Sequence, residues 1–416
     1  MRRRLAQLGG TTKWSDCALA LGLVLPGARL VRGRSIAEYE RAFADYIGVR
    51  HAFSFAHGRV GLYGLLRALE IGVGDEVLVP VPTHVVVANA VSYTGATPVF
   101  VDCRPHDCNI DLAAAEARIT ERTRALILQH TFGTPADIEA ALDLGRRRGF
   151  EVLEDCVHAL GARHRGRPVG SFGRAAFFST EETKTISSTM GGVAVTDDDG
   201  IAAALRAFQA ACAWPSRRLA ARYVIELLGY HVLTQPHVHR WSRALYEAAG
   251  RRNPLPGPTS PAERRGRRPP GYAMRLSNAQ AALALRQLRR VEENVAHRRA
   301  IAAVYARRLG PSAVAGERDQ PAPLRYPLCV ADRAGLMSEL SGEAIAGTWF
   351  TSVLEESEEP AASGYAEGAC PVAERAARRL VNLPTHPRVT AADAERLAAR
   401  VAHFTLSEAP RRGSSS

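Results

Sequence analysis

Lysine is almost absent from this chain of 416 residues. It occurs twice, as Lys13 and Lys184, while the other 52 of the 54 basic residues are arginines. Arginine therefore serves wherever a positive surface charge is wanted. A primary amine serves a different purpose, because it can lose its proton and attack a carbonyl, which a guanidinium cannot do. Lys13 lies in a polar N-terminal stretch. Lys184 lies in STEETKTISSTMGG, residues 179–192, a Ser/Thr-rich segment closed by Gly191 and Gly192. It is the candidate for Schiff-base chemistry. On residue type alone, a solvated surface lysine is the alternative.

Asp155 closes the apolar run FEVLED. A carboxylate buried at a strand end needs a positive partner. A protonated pyridine nitrogen is one such partner, and a carboxylate beside it keeps pyridoxal phosphate able to take up electrons from a carbanion. His158, three residues on, would face the same site if 155–160 begins a helical turn, with its imidazole near the cofactor's phenolic oxygen. Ser179 and Lys184 follow the next strand. Carboxylate, histidine, hydroxyl and lysine on successive strand ends fit a site where lysine holds such a cofactor. Taken singly, Asp155 could be a helix cap, His158 a core histidine and Ser179 a strand terminus.

Those residues need a scaffold. From residue 36 the chain alternates helical patterns with short apolar runs. SIAEYERAFADYIG, capped by Ser35, and GRVGLYGLLRALEIG read as helices; DEVLVPVPT, TPVFVD, RALILQHTFG, FEVLEDC, AAFFST and GVAVTDD read as strands. Alternation of this kind specifies an α/β fold, a mostly parallel sheet sandwiched by helices. Ligands bind at the carboxyl ends of such strands, where His84, His130, Asp155 and Ser179 fall. Residues 207–271 form a less regular helical and Arg/Pro-rich segment. A long helix is expected over 277–309, then a smaller α+β domain. The division reads as an extension 1–35, a large domain 36–272, a linking helix with a small domain over 273–408, and a tail 409–416.

Composition narrows the class. With 46% hydrophobic and 23% charged residues the chain reads as a globular enzyme. No apolar run reaches the roughly 18–20 residues of a membrane span. The N-terminus imitates a signal peptide only loosely, since Lys13 and Asp16 precede a short apolar run, so a cytoplasmic location is expected. Seven unpatterned cysteines point to a reducing compartment and away from a zinc site. The net charge of +12 is spread over helical faces mixed with acids, which points away from nucleic acid. The densest basic cluster, Arg251, Arg252, Arg264, Arg265, Arg267 and Arg268, reads as a basic loop, with a phosphate-bearing substrate as the alternative. The segment 216–250 mixes arginines with Trp, Tyr and Leu. Contact with a membrane surface is one reading; an amphipathic cover over the core or a subunit interface is favoured. His231, His237 and His239 lack neighbouring acids or cysteines, so no metal is expected.

The run EDCVHALGARHRGRPVGSFGRAAFFSTEETKTISSTMGGVAVTDD resembles the core of the DegT/DnrJ/EryC1/StrS aminotransferase family. So do GVGDEVLVPVPTHVVVANAVSYTGATPVFVD, TFGTPADIEAALDLGRRRG, RLSNAQAALALRQL and CPVAERAARRLVNLPTHP. Together they cover about residues 36–200 and 272–405. The resemblance implies the fold type I architecture of pyridoxal-phosphate enzymes and a homodimer with shared active sites. It makes Lys184 the Schiff-base lysine, Asp155 the partner of the pyridine nitrogen, His158 the neighbour of the phenolic oxygen and Ser179 a phosphate ligand. Gly58 and Arg59 fall where the family often has Gly-Thr at a helix start, His84 where an aromatic residue often stacks on the ring. The implied activity is transfer of an amino group from glutamate or glutamine to a keto or aldehyde acceptor, most often a nucleotide-linked keto sugar. Two rivals are a pyridoxamine-dependent sugar dehydratase, against which Lys184 argues because such enzymes carry histidine there, and a catalytically silent scaffold. TMGG departs from the family's GEGG, and a family asparagine is missing near Ala273.

Overall fold

The computed structural model describes residues 4–7, 10–25, 27–239, 241–242, 244, 258–310 and 319–404. Its centre is a seven-stranded sheet: β1 (His51–Phe55), β2 (Glu76–Pro80), β3 (Thr97–Val101), β4 (Thr123–Gln129), β5 (Glu151–Asp155), β6 (Ala175–Ser179) and β7 (Gly192–Thr196). Their order is β1-β7-β6-β5-β4-β2-β3. Strands β6 to β3 run parallel, and β7 is antiparallel to both of its neighbours. This is the α/β fold expected from the alternation. The sequence reading lacked β1, because HAFSF is short and mixes His51 and Ser54 with its two phenylalanines.

Side-chain alternation along each strand makes two cores. Val77, Val79, Ile127, Leu153 and Phe177 pack on one face, under helices Gly58–Ala68, Val85–Ser92 and Asp199–Ala211. Leu78, Leu126, Leu128, Val152 and Phe178 pack on the other, under Ser35–Ile47, Ile138–Arg148 and Asn278–Leu288. Ser35 is the first helical residue rather than a cap, and its N–H donates to the Asn278 carbonyl oxygen Oδ1 at 3.0 Å.

The single helix expected over 277–309 is two, Asn278–Leu288 and Val291–Leu309, separated at Arg290, whose φ of −125° leaves the helical region. The second helix buries Val291 and Val295 in the large-sheet core and Ile301, Val304 and Tyr305 in a separate one. That further core belongs to the antiparallel pair β8 (Arg325–Cys329) and β9 (Leu380–Pro384) with helices Arg333–Leu340 and Ala391–Val401. Leu354–Glu355 pairs in parallel with Thr83–His84, so residues after Gly347 reach across to the large sheet.

The N-terminal residues are built into this body. Helix Trp14–Val24 packs on Arg217–Leu233 and Asn278–Leu288 through Ala20, Val224, Leu227 and Leu283. Before it, Leu5 bridges Ala344, Arg4 N–H donates to the Pro236 carbonyl, and His386 Nε2 donates to the Ala6 carbonyl at 2.7 Å. Among the described residues, no helix is long and apolar enough to cross a membrane.

Candidate active site

Lys184 sits in the loop between β6 and β7, and the Ser/Thr run around it is the loop's own stitching. Thr180 and Ser188 share a hydroxyl hydrogen bond of 2.7 Å, Ser187 Oγ donates to Glu182 at 2.6 Å, and Thr180 N–H donates to the Gly191 carbonyl. Three amides from the linking helices hold it from below. Gln280 donates to the Met190 carbonyl, Gln287 accepts from Ser187 N–H, and Asn294 donates to the Thr185 carbonyl, at 2.6, 2.8 and 2.6 Å. These amides recur every seven residues: Gln280 and Gln287 share a face of helix Asn278–Leu288, and Asn294 continues the spacing on helix Val291–Leu309. That spacing of polar residues within an apolar pattern was readable and was missed.

The loop presents Lys184 to a cavity of about 380 Å³, and all seven residues singled out from the sequence line it: Gly58, Arg59, His84, Asp155, His158, Ser179 and Lys184. Asp155 ends β5 inside the protein. Its Oδ1 accepts from Val157 N–H at 3.1 Å, while its Oδ2 is buried with no hydrogen-bond partner. Burial pushes its carboxyl up to about 6, against the opposing pull of the Val157 hydrogen bond and of Lys184. Burial likewise brings the Lys184 amine down to about 8; Glu181 and Asp155 oppose this, and Arg325 adds to it. The amine lies 4.4 Å from the centre of the Trp349 ring.

Residues 156–161 form turns rather than a helix, yet His158 still faces the cavity. Its ring stacks on Phe132 and lies 5.2 Å from Trp349, its Nδ1 is buried without a partner, and burial holds it well below the usual histidine range. His84 Nδ1 accepts from Val86 N–H, and burial takes this imidazole down to about 3. Ser179 Oγ accepts from Glu181 N–H at 3.3 Å. It lies against the start of helix Gly58–Ala68, where a Cβ on Gly58 would come within 2.9 Å of the Phe178 carbonyl and one on Gly192 would collide with the Gly58 backbone. Backbone and helix N-terminus therefore meet with no side chain between them, the arrangement that cradles phosphate.

Arg59, at the start of helix Gly58–Ala68, is held inside the protein. It neither points outward nor stands free for an anion, because its guanidinium pairs with Glu263 at 2.6 Å in a nearly dry contact. His130 also departs from expectation. It turns away from the cavity: its Nδ1 accepts from Ala136 N–H, which leaves Nε2 to donate to Glu154 at 3.1 Å. Glu154 accepts further from the N–H groups of Gly170, Phe172 and Gly173. With Cys156 this is a buried His/Glu/Cys cluster, and those hydrogen bonds already account for the histidine and the carboxylate. In the basic loop, Arg265 pairs with Glu358 at 3.0 Å and Arg264 lies 3.8 Å from Glu356. Arg251 and Arg252 lie outside the described residues. Ala273, at the position of the missing asparagine, packs against the first core.

Sequence reasoning missed three groups that line the cavity. Trp349 and Phe350 come from a GTWF segment of no evident periodicity. Arg325 opens β8, a charge at the head of an apolar strand. Tyr230, Leu233, Thr234 and Ser242, with Pro258 and Thr259, line it from the 207–271 segment, so that segment covers the site of its own chain.

The cavity thus offers an acid with one unused buried oxygen, an amine of lowered basicity and a phosphate cradle. These features fit pyridoxal 5′-phosphate: Asp155 could meet the ring nitrogen, Lys184 the aldehyde and Ser179 with the Gly58 backbone the phosphate.

Comparison with known proteins agrees. GDP-perosamine synthase of Caulobacter vibrioides is 36% identical over 277 residues, 67% of this chain and 62% of that protein. L-glutamine:scyllo-inosose aminotransferase of Streptomyces griseus is 44% identical over 165 residues, 40% of this chain and 39% of that one. The matches therefore span less than two thirds of these relatives' lengths. The X-ray structure of S. venezuelae DesV in complex with a ketimine intermediate superposes with a TM-score of 0.74 at 28% identity, covering 97% of this chain and 98% of that one. Residues 15–402 match the model of the DegT/DnrJ/EryC1/StrS aminotransferase family, and the chain belongs to that family.

Proposed function

We propose that the protein is a pyridoxal-phosphate-dependent aminotransferase that moves an amino group from glutamate or glutamine to a keto or aldehyde acceptor, a nucleotide-linked keto sugar or a related metabolite. The observation that carries this reading is Lys184, with its amine brought down to about 8, in one cavity with the unpartnered Oδ2 of Asp155. When bound, the cofactor supplies an electron sink for the carbanion left when the donor loses its α-proton. The chain's residues do the rest. Asp155 holds a proton on the ring nitrogen through Oδ2. The Lys184 amine, its basicity lowered by burial to about 8, takes the proton from the donor's α-carbon, as a general base tuned close to its working pH. His158, kept neutral by burial, orients the ring at its phenolic oxygen, and Ser179 with the Gly58 backbone fixes the phosphate. Trp349 and the 207–271 segment exclude water. The names of the two curated relatives support a sugar or cyclitol acceptor.

We also read the protein as a cytoplasmic homodimer. Exposed apolar side chains support the dimer: Trp14 and Leu21 on one helix, Ile225 and Val232 on the helix packed against it, each pair seven residues apart. Unpatterned cysteines support the compartment.

The test is the absorption spectrum of the purified protein with added cofactor. A band that borohydride bleaches, that Lys184→Ala lacks and that glutamate or glutamine converts to the aminated cofactor's spectrum is expected. A wild-type protein that takes up no cofactor would overturn the proposal.

A further inference from the structure

The reaction as described makes no use of Arg325, and its position calls for an anion. It lies at the head of β8 and is 6% exposed. Its guanidinium carbon lies 4.1 Å from the centre of the Trp349 ring, and its Nη1 is buried without a hydrogen-bond partner. Among the described residues, no carboxylate forms an ion pair with it; Glu181 and Glu355 act on it only from farther away. Burial lowers its basicity to about 10, which still leaves it cationic at neutral pH. A buried guanidinium without a counter-ion is costly, so a ligand anion in the cavity would relieve it.

Geometry selects the anion. The phosphate cradle at Gly58 and Ser179 belongs to the large sheet, whereas Arg325 shares the Trp349 ring with the amine of Lys184, which lies 4.4 Å from the ring centre. Arg325 therefore stands at the reacting end, lining the same cavity as the amine and against the same ring. An α-amino acid arriving there carries its carboxylate one carbon from the reacting amine. A sugar or cyclitol ketone carries no charge at the corresponding place.

We propose that Arg325 is the receptor for the α-carboxylate of the amino donor, gripping it with its planar fork and so aiming the donor's amine at the position of Lys184. The proposal rests on the aminotransferase reading above. It makes the donor half-reaction selective for α-amino acids and leaves the choice of acceptor to other walls of the cavity.

Matched donors test it: L-glutamate against 4-aminobutyrate, which lacks only the α-carboxylate, and L-glutamine against 4-aminobutanamide. Stopped-flow absorbance reads the donor half-reaction of the cofactor-loaded enzyme. Arg325→Met is expected to slow L-glutamate and L-glutamine by about 30–100-fold, the factor of a lost charge-assisted pair. The two partners that lack the α-carboxylate should stay within about threefold, by the same reasoning. Arg325→Lys, which keeps the charge without the fork, should fall between and guards against a folding defect in the first variant. Unchanged kinetics with the amino acids, an equal loss with 4-aminobutyrate, or equal losses with all four amines would each overturn the assignment. A wild-type enzyme that holds cofactor but reacts with no amino acid would sink the aminotransferase reading and this proposal together. Failure of the variants alone sinks only this one.

Discussion

At the scale of single residues, Asp155 and Lys184 are moved toward one another by the same burial, the acid up to about 6 and the amine down to about 8. For Asp155 the folded value is raised above the unfolded one of 3.8. Its contribution to stability is therefore complete below pH 3.8 and is lost as pH rises through about 6. At neutral pH the buried carboxylate costs the cofactor-free fold about 3 kcal/mol, some two pH units at 1.36 kcal/mol each. Lys184 has the opposite sense: its folded value is depressed, so the cofactor-free fold gains stability as pH rises from about 8 to 10.5. Asp155→Asn keeps the Oδ1 acceptor for Val157 and removes the charge. Thermal denaturation at pH 7.5 should show the cofactor-free variant melting higher than wild type. The loaded variant should lose about 10²-fold or more in kcat/KM, as for removal of a preorganised electrostatic partner. Lower Tm in the cofactor-free variant would contradict the burial argument. Both residues were legible in the sequence because their types are chemically specific and each follows an apolar strand. Arg59 and Arg325 were not, because an arginine's role depends on which carboxylate lies across the fold from it, and neither Glu263 nor the vacant surroundings of Arg325 is local in sequence.

At the scale of elements, two contacts position the site. Arg59 and Glu263 join helix Gly58–Ala68 to the segment at 258–264, with side chains only 10% and 1% exposed. Glu263→Gln leaves a buried guanidinium short of its partner and should destabilise the protein by about 3–5 kcal/mol. Replacing both residues by methionine should recover most of that loss, as measured by urea denaturation. The second contact is glycine against glycine. Gly192→Ala would drive β7 from the start of helix Gly58–Ala68, costing about 1–3 kcal/mol as overpacking does and weakening cofactor affinity at least about tenfold, since 1.4 kcal/mol is one decade. Fluorescence titration with cofactor would show it, and unchanged affinity would contradict the cradle. Strands β2 to β7 were legible from apolar runs between turn residues. β1 and the break at Arg290 were not: five mixed residues carry little periodicity, and a two-residue interruption between helical patterns looks continuous in sequence.

At the scale of the whole molecule, the large sheet, the β8–β9 unit and the 207–271 segment all contribute walls to one cavity. Domain-sized patterning foretold the first two. The third was legible as helices and as an amphipathic cover over the core or a subunit interface, but not as a wall of the site, because its placement depends on contacts with helix Trp14–Val24, which the sequence reading left as an extension. Sedimentation velocity should find a dimer, and the pair Leu21→Glu with Ile225→Glu should convert it to monomer while preserving the far-UV circular dichroism; a wild-type monomer would contradict this use of the exposed apolar stripe. The stretch Arg4–Ala6 joins Pro236, Ala344 and His386, while Thr11 Oγ1 donates to the backbone carbonyl of Lys184 itself. During synthesis on the ribosome, that stretch must wait until residues beyond His386 have emerged before its partners exist. A nascent chain carrying Lys184 therefore has its reactive amine in an unfinished pocket until His386 has emerged.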